Sequence, residues 1–455
     1  MTDPFAGARV LIVGLGVSGY SAARRLAGLD AKVRVTEQGS GEIIEERAEA
    51  LRNRGIEVET GGHDLHAAFA DIAVISPGIP LDVPIVEHLR QQGVPIWSEI
   101  ELGYRLTRGS DFLAVTGTNG KTTTTGLLAE MLVQGGIRAV AAGNIGAPLV
   151  DAVFEAPEDS AIVVEVSSFQ LATIEQFRPR VAVLLNIDED HTDWHGSIAA
   201  YAAAKERLTL NQTPDDALVF NFEDERCRAI ATRASARPVP FSREHAPTSG
   251  IGVEGGDVVW RGEPIYPVAD IPLAGSPGLD DALAASAAAL EYGVDVPSIV
   301  RALKGFRAPP HRMELVAEAG GVRYIDDSKA TNPHATLAAV RGLKDVVLIA
   351  GGRSKGIDLK RLGETVPPVV GVVAMGEAAA EVQSVFAGAV PVVAAPDMTE
   401  AVRLAHGMSV SGGSVLLSPG CASLDMYESY AARGEAFDRA VRELLKTQGR
   451  DDGDT

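Results

Sequence analysis

The chain has 455 residues, of which 46% are hydrophobic and 22% are charged. This composition is typical of a globular protein, and the length is too great for one ordinary hydrophobic core, so we expect two to four domains. The formal net charge of -20 argues against a nucleic-acid-binding protein and against a basic protein of the membrane surface, because both need a positively charged face. Small nucleotides remain possible ligands, because a few local lysines or arginines are enough to bind a phosphate.

The two cysteines, Cys227 and Cys421, lie far apart and form no CxxC pattern. A disulfide framework or a thiolate metal site is therefore not expected. Residues 1–9 lack the basic and then apolar pattern of a signal peptide. No apolar run reaches about 18 residues, the length that a membrane-spanning helix needs. We therefore expect a cytoplasmic enzyme.

Short runs of valine and isoleucine alternate with polar helical stretches in the first hundred residues. This alternation is typical of βαβ units, which form a parallel sheet with helices packed against it. The predicted strands are Arg9–Val13, Lys32–Glu37 and Ile72–Ile75, and the predicted helices cover residues 18–27 and 41–54. Ser98 and Glu101 have the spacing of a capping box, which predicts a helix from there to about Leu106. A linker at residues 108–110 ends this first domain.

A second α/β unit begins with a strand predicted at residues 112–116, followed by a glycine-rich turn and a helix over Lys121–Gln134. Further strands are predicted at 161–165, 181–185 and 217–220, with hairpins at 250–268 and an alanine-rich helix at 279–292. A third unit follows His311, with strands predicted at 322–325, 346–350, 372–375 and 415–417 and a fraying end from about residue 448. The sequence therefore predicts an α/β fold of three domains, at residues 1–108, 109–311 and 312–455.

The first glycine motif lies between a predicted strand and a predicted helix. Gly14, Gly16 and Gly19 form a GxGxxG pattern, and Glu37 ends the next strand. This is the dinucleotide fingerprint, in which glycines let the backbone approach a diphosphate at the N-terminus of a helix. NAD, FAD and a nucleotide-sugar diphosphate would all suit this loop, and a tight turn without a ligand would have the same pattern. The motif alone leaves these alternatives open.

The second glycine motif indicates the class of protein. Residues 116–123 read TGTNGKTT and also lie between a predicted strand and a predicted helix. Gly-Lys-Thr in this context is the functional end of a P-loop, in which N–H groups hold phosphates, lysine neutralises their charge and threonine reaches Mg²⁺. The general Walker spacing is incomplete, because Val115 stands at the place of its first glycine.

This octapeptide resembles the nucleotide loop of the Mur ligases and the folylpolyglutamate synthases, and the resemblance extends over most of the chain. The segments that carry it are GNIG at 143–146, EVSSFQL at 165–171, NIDEDH at 186–191, YAAAK at 201–205, PHR at 310–312, DDSKATN at 326–332 and SPGCASLD at 418–425. Residues 326–332 discriminate best and resemble the D-glutamate-adding branch of the Mur ligases. The resemblance implies an N-terminal Rossmann-like UDP-binding domain, a central P-loop ATPase domain and a C-terminal Rossmann-like domain.

The reaction that the resemblance implies joins an amino group to a carboxylate that ATP first converts to an acyl phosphate. For this branch the substrates are UDP-N-acetylmuramoyl-L-alanine and D-glutamate, in the synthesis of peptidoglycan precursors. We expect a monomer that binds no nucleic acid. The ATP-binding residues that the resemblance implies are Gly117, Thr118, Asn119, Gly120, Lys121, Thr122, Thr123, Arg312 and Asp327.

The resemblance also implies two Mg²⁺ ions and three catalytic residues, Lys121, His191 and Lys205. Thr122 and Glu165 offer the oxygen ligands that Mg²⁺ prefers, and His191 is implied as a ligand of the second ion. The family has a carbamoylated lysine at the position of Lys205, and its carbamate would be a further metal ligand. Without the resemblance, His191 would be interpreted as a structural histidine and Lys205 as a solvated helix lysine.

Two sets of substrate contacts are implied in the same way. The UDP substrate would contact Leu15, Val17, Ser18, Glu37, Ser76, Asn144, Ser167 and Gln170, the first three through backbone groups that face its diphosphate. D-glutamate has two carboxylates and needs cations and hydroxyls, and its implied contacts are Lys329, Thr331, Lys355, Ser423, Leu424 and Tyr430. Glu37 stands where familiar relatives have aspartate, and Tyr430 stands where they have phenylalanine.

One stretch departs from the family. Relatives usually have GxHNxxN before the alanine-rich helix, and its amides help to bind adenine. Residues 275–281 read GSPGLDD, without the histidine or either asparagine. We therefore expect adenine recognition to be altered, and we carry no adenine contact over to this chain.

Three other functions are compatible with parts of the sequence. An NAD-dependent oxidoreductase would explain GxGxxG but neither the P-loop nor the third domain. A P-loop switch without enzymatic activity would explain the second motif alone. A ligase for another amino acid or for polyglutamate is disfavoured by residues 326–332 and by the diphosphate loop of the first domain.

Overall fold

The structure is a computed structural model, and it describes residues 5–65, 70–107, 109–271, 275–307, 310–354 and 356–451. These residues form three α/β units, each built around its own sheet. The sheets lie within residues 9–98, 111–267 and 314–417, and we call the units the first, middle and third domains. The predicted three-domain α/β fold is confirmed. Within the described ranges, no helix is long and apolar enough to cross a membrane.

The first domain contains a five-stranded parallel sheet in the order β3-β2-β1-β4-β5. Its elements are β1 (Arg9–Val13), α1 (Val17–Ala27), β2 (Lys32–Glu37), α2 (Glu42–Arg52), β3 (Glu57–Thr60), β4 (Ile72–Ile75), α3 (Pro84–Gln91), β5 (Ile96–Ser98) and α4 (Glu99–Arg105). The valines and isoleucines of β1 and β4 are buried, apart from the partly buried Ile72, as expected for a parallel sheet covered on both faces. The sequence indicates neither β3 nor β5, because β3 has a single hydrophobic residue and β5 is only three residues long.

The middle domain contains a nine-stranded sheet in the order β14-β13-β12-β11-β10-β9-β6-β8-β7. Its strands are β6 (Asp111–Thr116), β7 (Ala139–Gly143), β8 (Ala161–Glu165), β9 (Val181–Leu184), β10 (Ala217–Asn221), β11 (Arg237–Ser242), β12 (Ile251–Glu254), β13 (Asp257–Trp260) and β14 (Glu263–Pro267). Its helices are α5 (Lys121–Gln134), α6 (Leu149–Glu155), α7 (Ser168–Leu171), α8 (Thr192–His195), α9 (Ile198–Glu206), α10 (Glu225–Arg233), α11 (Gly275–Tyr292) and α12 (Val296–Gly305). Strands β12 to β14 pair antiparallel, so the predicted hairpins are confirmed.

The helix predicted from residue 279 begins earlier, at Gly275. Pro277 therefore falls in the first turn of α11, where the missing N–H of proline costs no helical hydrogen bond. Proline in the first turn is compatible with a helix, so α11 includes the two residues before Pro277.

The third domain has a six-stranded sheet in the order β15-β16-β20-β17-β18-β19, in which only the β15–β16 pair is antiparallel among the described strands. Its elements are β15 (Glu314–Ala319), β16 (Val322–Asp326), α13 (Pro333–Val340), β17 (Val346–Gly351), β18 (Val369–Met375), α14 (Ala379–Phe386), β19 (Val392–Ala394), α15 (Met398–Met408), β20 (Ser414–Leu417) and α16 (Tyr430–Asp451). Helix α16 continues to Asp451, so the end expected to fray from residue 448 is helical for four residues.

The first domain is attached to the middle domain by buried carboxylates. Glu101 of α4 accepts hydrogen bonds from the backbone N–H groups of Glu175, Gln176 and Phe177, at 2.9 to 3.0 Å. Asp151 of α6 accepts a hydrogen bond from Ser21 Oγ of α1 at 2.6 Å. Such charge-assisted hydrogen bonds fix the orientation of one domain on the other.

The middle and third domains contact each other across the P-loop. Arg361 donates to Asp188 at 2.6 Å. The side-chain amides of Asn119 and Asn332 lie 3.3 Å apart and donate to each other's oxygens. Asn332 also donates to Asp190 at 3.2 Å. In this structure the third domain is therefore closed onto the nucleotide loop.

Candidate active site

The loop between β6 and α5 has the backbone of a phosphate-binding loop. Gly120, the residue before α5, has a positive φ of 86°. A Cβ atom added there would lie 2.2 Å from Asp281 Oδ1, so both the conformation and the space require glycine. The loop ends at the N-terminus of a fourteen-residue helix, where free N–H groups and the helix dipole favour an anion.

Lys121 folds back onto this loop. Its ammonium group donates to the carbonyl oxygens of Gly117 at 2.9 Å and Thr118 at 2.8 Å. Burial lowers the pKa of Lys121, while the nearby carboxylates of Glu165 and Asp190 act in the opposite direction. The ammonium group of Lys121 therefore lies at the loop that the sequence predicts to bind phosphates.

Lys205, near the end of α9, is 1% exposed. Its Nζ donates to Gly117 O at 2.8 Å and lies 4.6 Å from the centre of the Tyr201 ring. Burial first, and then the charge of Lys121, hold the pKa of Lys205 well below its ordinary value. This environment favours a neutral amine, so Lys205 is not a solvated helix lysine.

Glu165 ends β8 beside the loop. Its Oε1 accepts a hydrogen bond from Asn144 Nδ2 at 2.9 Å, and its Oε2 is buried without a hydrogen-bond partner among the described residues. A buried carboxylate oxygen without a partner is unusual and costly in a folded protein. It is also the ligand type that Mg²⁺ prefers, so Glu165 fits a metal ion next to the phosphate loop.

His191 has a left-handed backbone, with φ of 53°. Its N–H donates to Asp190 Oδ1 at 3.0 Å, and its Nε2 lies 3.8 Å from Asp190 Oδ2. Phe169 packs against the imidazole edge-on, with ring centres 4.8 Å apart. Asp190 thus binds the backbone of His191 and lies beside its imidazole ring.

Phe169 also stacks on His195, whose Nε2 lies 2.9 Å from Ser168 Oγ. Burial lowers the pKa of His195 to about 4, so this imidazole is neutral. Local sequence does not indicate this aromatic group, because Phe169 lies more than twenty residues before His191 and His195.

Two residues of the third domain enter the same site. Lys329 Nζ donates to Thr122 Oγ1 at 3.1 Å and lies 5.2 Å from the centre of the Tyr430 ring. Burial lowers the pKa of Lys329 to about 8. Asp327 accepts a hydrogen bond from Ser418 Oγ at 2.8 Å, and burial raises its pKa to about 7.

Other residues predicted to bind D-glutamate lie in two loops of the third domain. Ser423 is buried and Leu424 is exposed in the loop before α16, and Thr331 is partly buried before α13. Lys355 lies outside the described residues.

The first domain has a cavity of about 710 Å³ at the carboxyl ends of its strands. It is lined by Gly14, Gly16, Glu37, Gln38, Ile44, His63, Leu65, Ser76, Pro77, Gly78, Ile79, Pro80, Val83, Pro84 and Ile85. Glu37 accepts hydrogen bonds from the N–H groups of Leu15 at 2.6 Å and Gly39 at 2.7 Å. The N–H of Leu15, predicted to face a diphosphate, therefore binds this carboxylate here. Val17 and Ser18 begin α1 at the same loop.

The remaining predicted contacts of the UDP substrate lie in the middle domain. Ser167 and Gln170 form a capping box at the start of α7, with Ser167 N donating to Gln170 Oε1 at 2.9 Å. Asn144 is held by Glu165. These side chains are ordered by one another and lie next to the candidate metal ligand.

A second cavity, of about 290 Å³, lies between the middle and third domains. Asn119 and Gly120 of the P-loop form one end, and residues after β10 and β11 form the other. Arg312 and Asp327, predicted to bind ATP, line this cavity. Asp280, Glu223 and Arg243 also line it. Of these three, only Asp280 was indicated by the sequence, because it lies in the unusual stretch at residues 275–281.

One further group of potential metal ligands is present among the described residues. Ligand atoms of His311, Glu314 and Asp326 lie within 4.8 Å of one another. His311 Nδ1 lies 2.7 Å from Asp326 Oδ2, and the N–H of His311 donates to Glu314 at 2.9 Å. These contacts account for the cluster without an ion.

Family models match all three domains. The model of the "Mur ligase MurD-like, N-terminal domain" matches residues 8–98, that of the "Mur ligase middle domain" matches 115–289, and that of the "Mur ligase, glutamate ligase domain" matches 311–421. The chain is similar to the UDP-N-acetylmuramoylalanine--D-glutamate ligase of Acidobacterium capsulatum, with 42% identity over 95% of each chain. The enzyme of the same name from Geobacillus kaustophilus is 40% identical over 96% of this chain and 98% of that one.

Solved structures show the same architecture. MurF from Acinetobacter baumannii superposes with a TM-score of 0.60 and 18% identity, covering 96% of this chain and 93% of that one. The UDP-N-acetylmuramate-alanine ligase MurC from Thermotoga maritima superposes with a TM-score of 0.58 and 20% identity, covering 97% and 100%. At this level of identity the likeness supports the fold alone.

Proposed function

The chain belongs to the Mur ligase family, and from that premise we propose that it joins D-glutamate to UDP-N-acetylmuramoyl-L-alanine with consumption of ATP. Relatives with this name align with it over nearly their whole length at about 40% identity. The reaction proceeds through an acyl phosphate, as in the rest of the family, and releases ADP and phosphate. The relatives are ligases, which favours this function over an oxidoreductase or a switch.

The observation that carries the proposal is the contact between Lys329 and Thr122, at 3.1 Å. It joins the domain proposed to bind D-glutamate to the loop proposed to bind ATP. An amine held near Lys329 and Tyr430 would thus approach a carboxylate phosphorylated at the P-loop. Holding two reactants in this way replaces a bimolecular encounter by a positioned one.

Residues of the three domains have different roles in the proposed reaction. The P-loop amides and Lys121 hold the phosphates and neutralise the charge that develops on them. Arg312 and Asp327 bring the third domain onto the nucleotide, and the closed domains exclude water from an intermediate that water would hydrolyse. Val17 and Ser18 would face the UDP diphosphate through their backbone in the first domain, and Ser76 would close the same pocket.

Mg²⁺ would be held by Thr122 and Glu165 at a first site and by His191 and Lys205 at a second, and it supplies charge neutralisation at the phosphates. The unpartnered Oε2 of Glu165 supports the first site. For the second site we propose that Lys205 carries a carbamate. A neutral amine adds CO₂ to form a carbamate and releases one proton, and the burial of Lys205 favours the neutral form. The product is an oxygen ligand, which an ammonium group is not.

We place this reaction in the cytoplasm, where ATP is available, and assign it to a monomer. The test is phosphate release from ATP and Mg²⁺ with UDP-N-acetylmuramoyl-L-alanine and a panel of D- and L-amino acids. Release should require both the UDP substrate and D-glutamate, and L-glutamate should be a poor substitute. Release that depends on another amino acid would identify a sister ligase. A change in nicotinamide absorbance without ATP hydrolysis would contradict the proposal.

A further inference from the structure

The cavity between the middle and third domains continues well beyond the P-loop. Its far wall contains residues that follow β10 and β11. In the sheet, β11 is separated from the P-loop strand β6 by β9 and β10. With strands about 4.8 Å apart, the far wall lies roughly 14 Å from the P-loop strand. An extended nucleotide with its phosphates on the loop spans such a distance, so its base belongs at this wall.

The far wall carries a carboxylate fixed by a guanidinium group. Arg243 Nη1 donates to Asp280 Oδ2 at 2.7 Å. The other oxygen, Asp280 Oδ1, is buried and has no hydrogen-bond partner among the described residues, and the same holds for Glu223 Oε2. Both residues line the cavity. Buried carboxylate oxygens in folded proteins are normally satisfied, so hydrogen-bond donors are expected to come from a ligand.

We propose that Asp280, held by Arg243, recognises the base of the nucleotide and selects adenine through its 6-amino group. The inference rests on the proposed use of ATP. Adenine has a donor at position 6 beside the acceptor N7, whereas guanine has acceptors at both places. A carboxylate accepts a hydrogen bond from the 6-amino group and repels a 6-keto oxygen. Arg243 stands beside the carboxylate as a donor for a ring nitrogen.

The neighbouring carboxyl group of Asp281 has a different place. Its Oδ1 accepts a hydrogen bond from Thr124 Oγ1 at 3.2 Å and lies against Gly120, at the phosphate end of the cavity. Asp280 and Asp281 are adjacent in sequence, but they serve opposite ends of the nucleotide. Burial raises the pKa of Asp280 to about 6, with Arg243 acting in the opposite direction, so its carboxylate is ionised at pH 8.

Calorimetric titration of the whole protein with nucleoside diphosphates at pH 8 tests the proposal without using ligase activity. Wild-type protein should bind ADP about 5- to 150-fold more tightly than IDP, which has a 6-keto group, since one base-specific contact pair contributes about 1–3 kcal/mol. Purine riboside diphosphate, which lacks the 6-substituent, should bind more weakly than ADP. Asp280→Asn, whose amide can donate to a keto oxygen, should lower the preference for ADP over IDP by about tenfold. Asp270→Asn is the matched control, because Asp270 pairs with Lys304 outside the cavity lining.

Titration with 2′-deoxy-ADP as a further ligand separates effects on the ribose from effects on the base. An unchanged ADP-to-IDP ratio in Asp280→Asn would overturn the proposal, and so would a change confined to the ratio of ADP to 2′-deoxy-ADP. Equal affinity of the wild-type protein for ADP and purine riboside diphosphate would overturn it without any variant. Selective ADP binding with no ligase activity toward D-glutamate would instead overturn the proposed function, and absence of ADP binding would overturn both.

Discussion

Lys121 and Lys205 donate hydrogen bonds to the same backbone oxygen, that of Gly117, at 2.9 and 2.8 Å. Two ammonium groups this close repel each other, and burial disfavours the charge on both. The pKa of Lys205 is the more strongly depressed, with Lys121 as the second cause after burial. Of the two lysines, Lys205 is therefore the one whose environment more strongly favours a neutral amine.

Lys205→Ala is expected to lose most ligase activity while it keeps its fold. The reason is the loss of the proposed carbamate ligand, since removing one group near a metal typically costs about 10–100-fold in metal affinity or activity. Added formate or acetate should restore part of the activity by filling the vacated anion site. Phosphate release and circular dichroism measure the two effects.

Lys304→Ala is the matched control for Lys205, because Lys304 is exposed and pairs with Asp270 away from the P-loop. Near-normal activity of Lys205→Ala would contradict the carbamate role. An inactive variant that does not respond to small carboxylates would contradict it equally.

Glu165→Gln is expected to raise the Mg²⁺ concentration needed for half-maximal activity by about tenfold or more. The substitution replaces the unpartnered carboxylate oxygen by a neutral amide, a weaker ligand for a hard cation. Glu130→Gln, on the same helix as Lys121 but near its other end, should leave the Mg²⁺ titration unchanged. An identical titration for Glu165→Gln and wild type would remove Glu165 from the metal site.

Arg361→Ala is expected to shift the chain toward a more open arrangement. Arg361 and Asp188 pair across the two domains with side chains 37% and 18% exposed, so the shift should be modest, about 1 kcal/mol. Small-angle scattering should show a larger radius of gyration. Arg403→Ala breaks an ion pair within the third domain and should scatter like wild type. Compactness that is unaffected by Arg361→Ala would show that the pair does not hold the domains together.

Glu99 makes stability depend on pH. Burial raises its pKa from 4.5 to about 8, so between these values the folded state holds a proton that the unfolded state has released. Stability should therefore fall as pH rises from about 4.5 to about 8, by at most about 1.4 kcal/mol per pH unit. Glu99→Gln stays neutral and should lose this dependence, so its advantage over wild type should grow across the window.

Urea unfolding at several pH values measures this dependence. Glu57→Gln is the control, because the Glu57 side chain is 70% exposed. Parallel pH profiles for Glu99→Gln and wild type would show that Glu99 releases its proton in the folded state at its ordinary pH.

Local sequence predicted the central strands and the P-loop helix well. Strands such as β1 and β8 are continuous runs of branched hydrophobic residues, and α5 follows directly from the Gly-Lys-Thr turn. Edge strands were harder to predict, because Glu314–Ala319 has polar residues and gains its structure only from pairing with β16. Propensity in such strands depends on neighbours that the local sequence does not show.

The sequence could indicate only those residues of the candidate site that lie in local motifs. Glu165, Lys205 and Lys329 each lie in a recognisable segment, whereas the contact of Arg361 with Asp188 joins residues 173 positions apart. Glu223 lies in no motif, and Asp280 lies within residues 275–281, where the sequence departs from the family's adenine motif. Each has one buried carboxylate oxygen without a hydrogen-bond partner among the described residues, a property that exists only after folding.

The nucleotide cavity has walls from two domains, so the affinity for ADP and the equilibrium between open and closed domains are thermodynamically coupled. By thermodynamic reciprocity, any factor by which domain approach tightens ADP binding is also the factor by which ADP favours the approach. A compound that fills the cavity but contacts the middle domain alone would gain no affinity from the approach of the third domain. Compounds selected for binding to the isolated pocket and compounds selected against the whole chain would therefore rank differently.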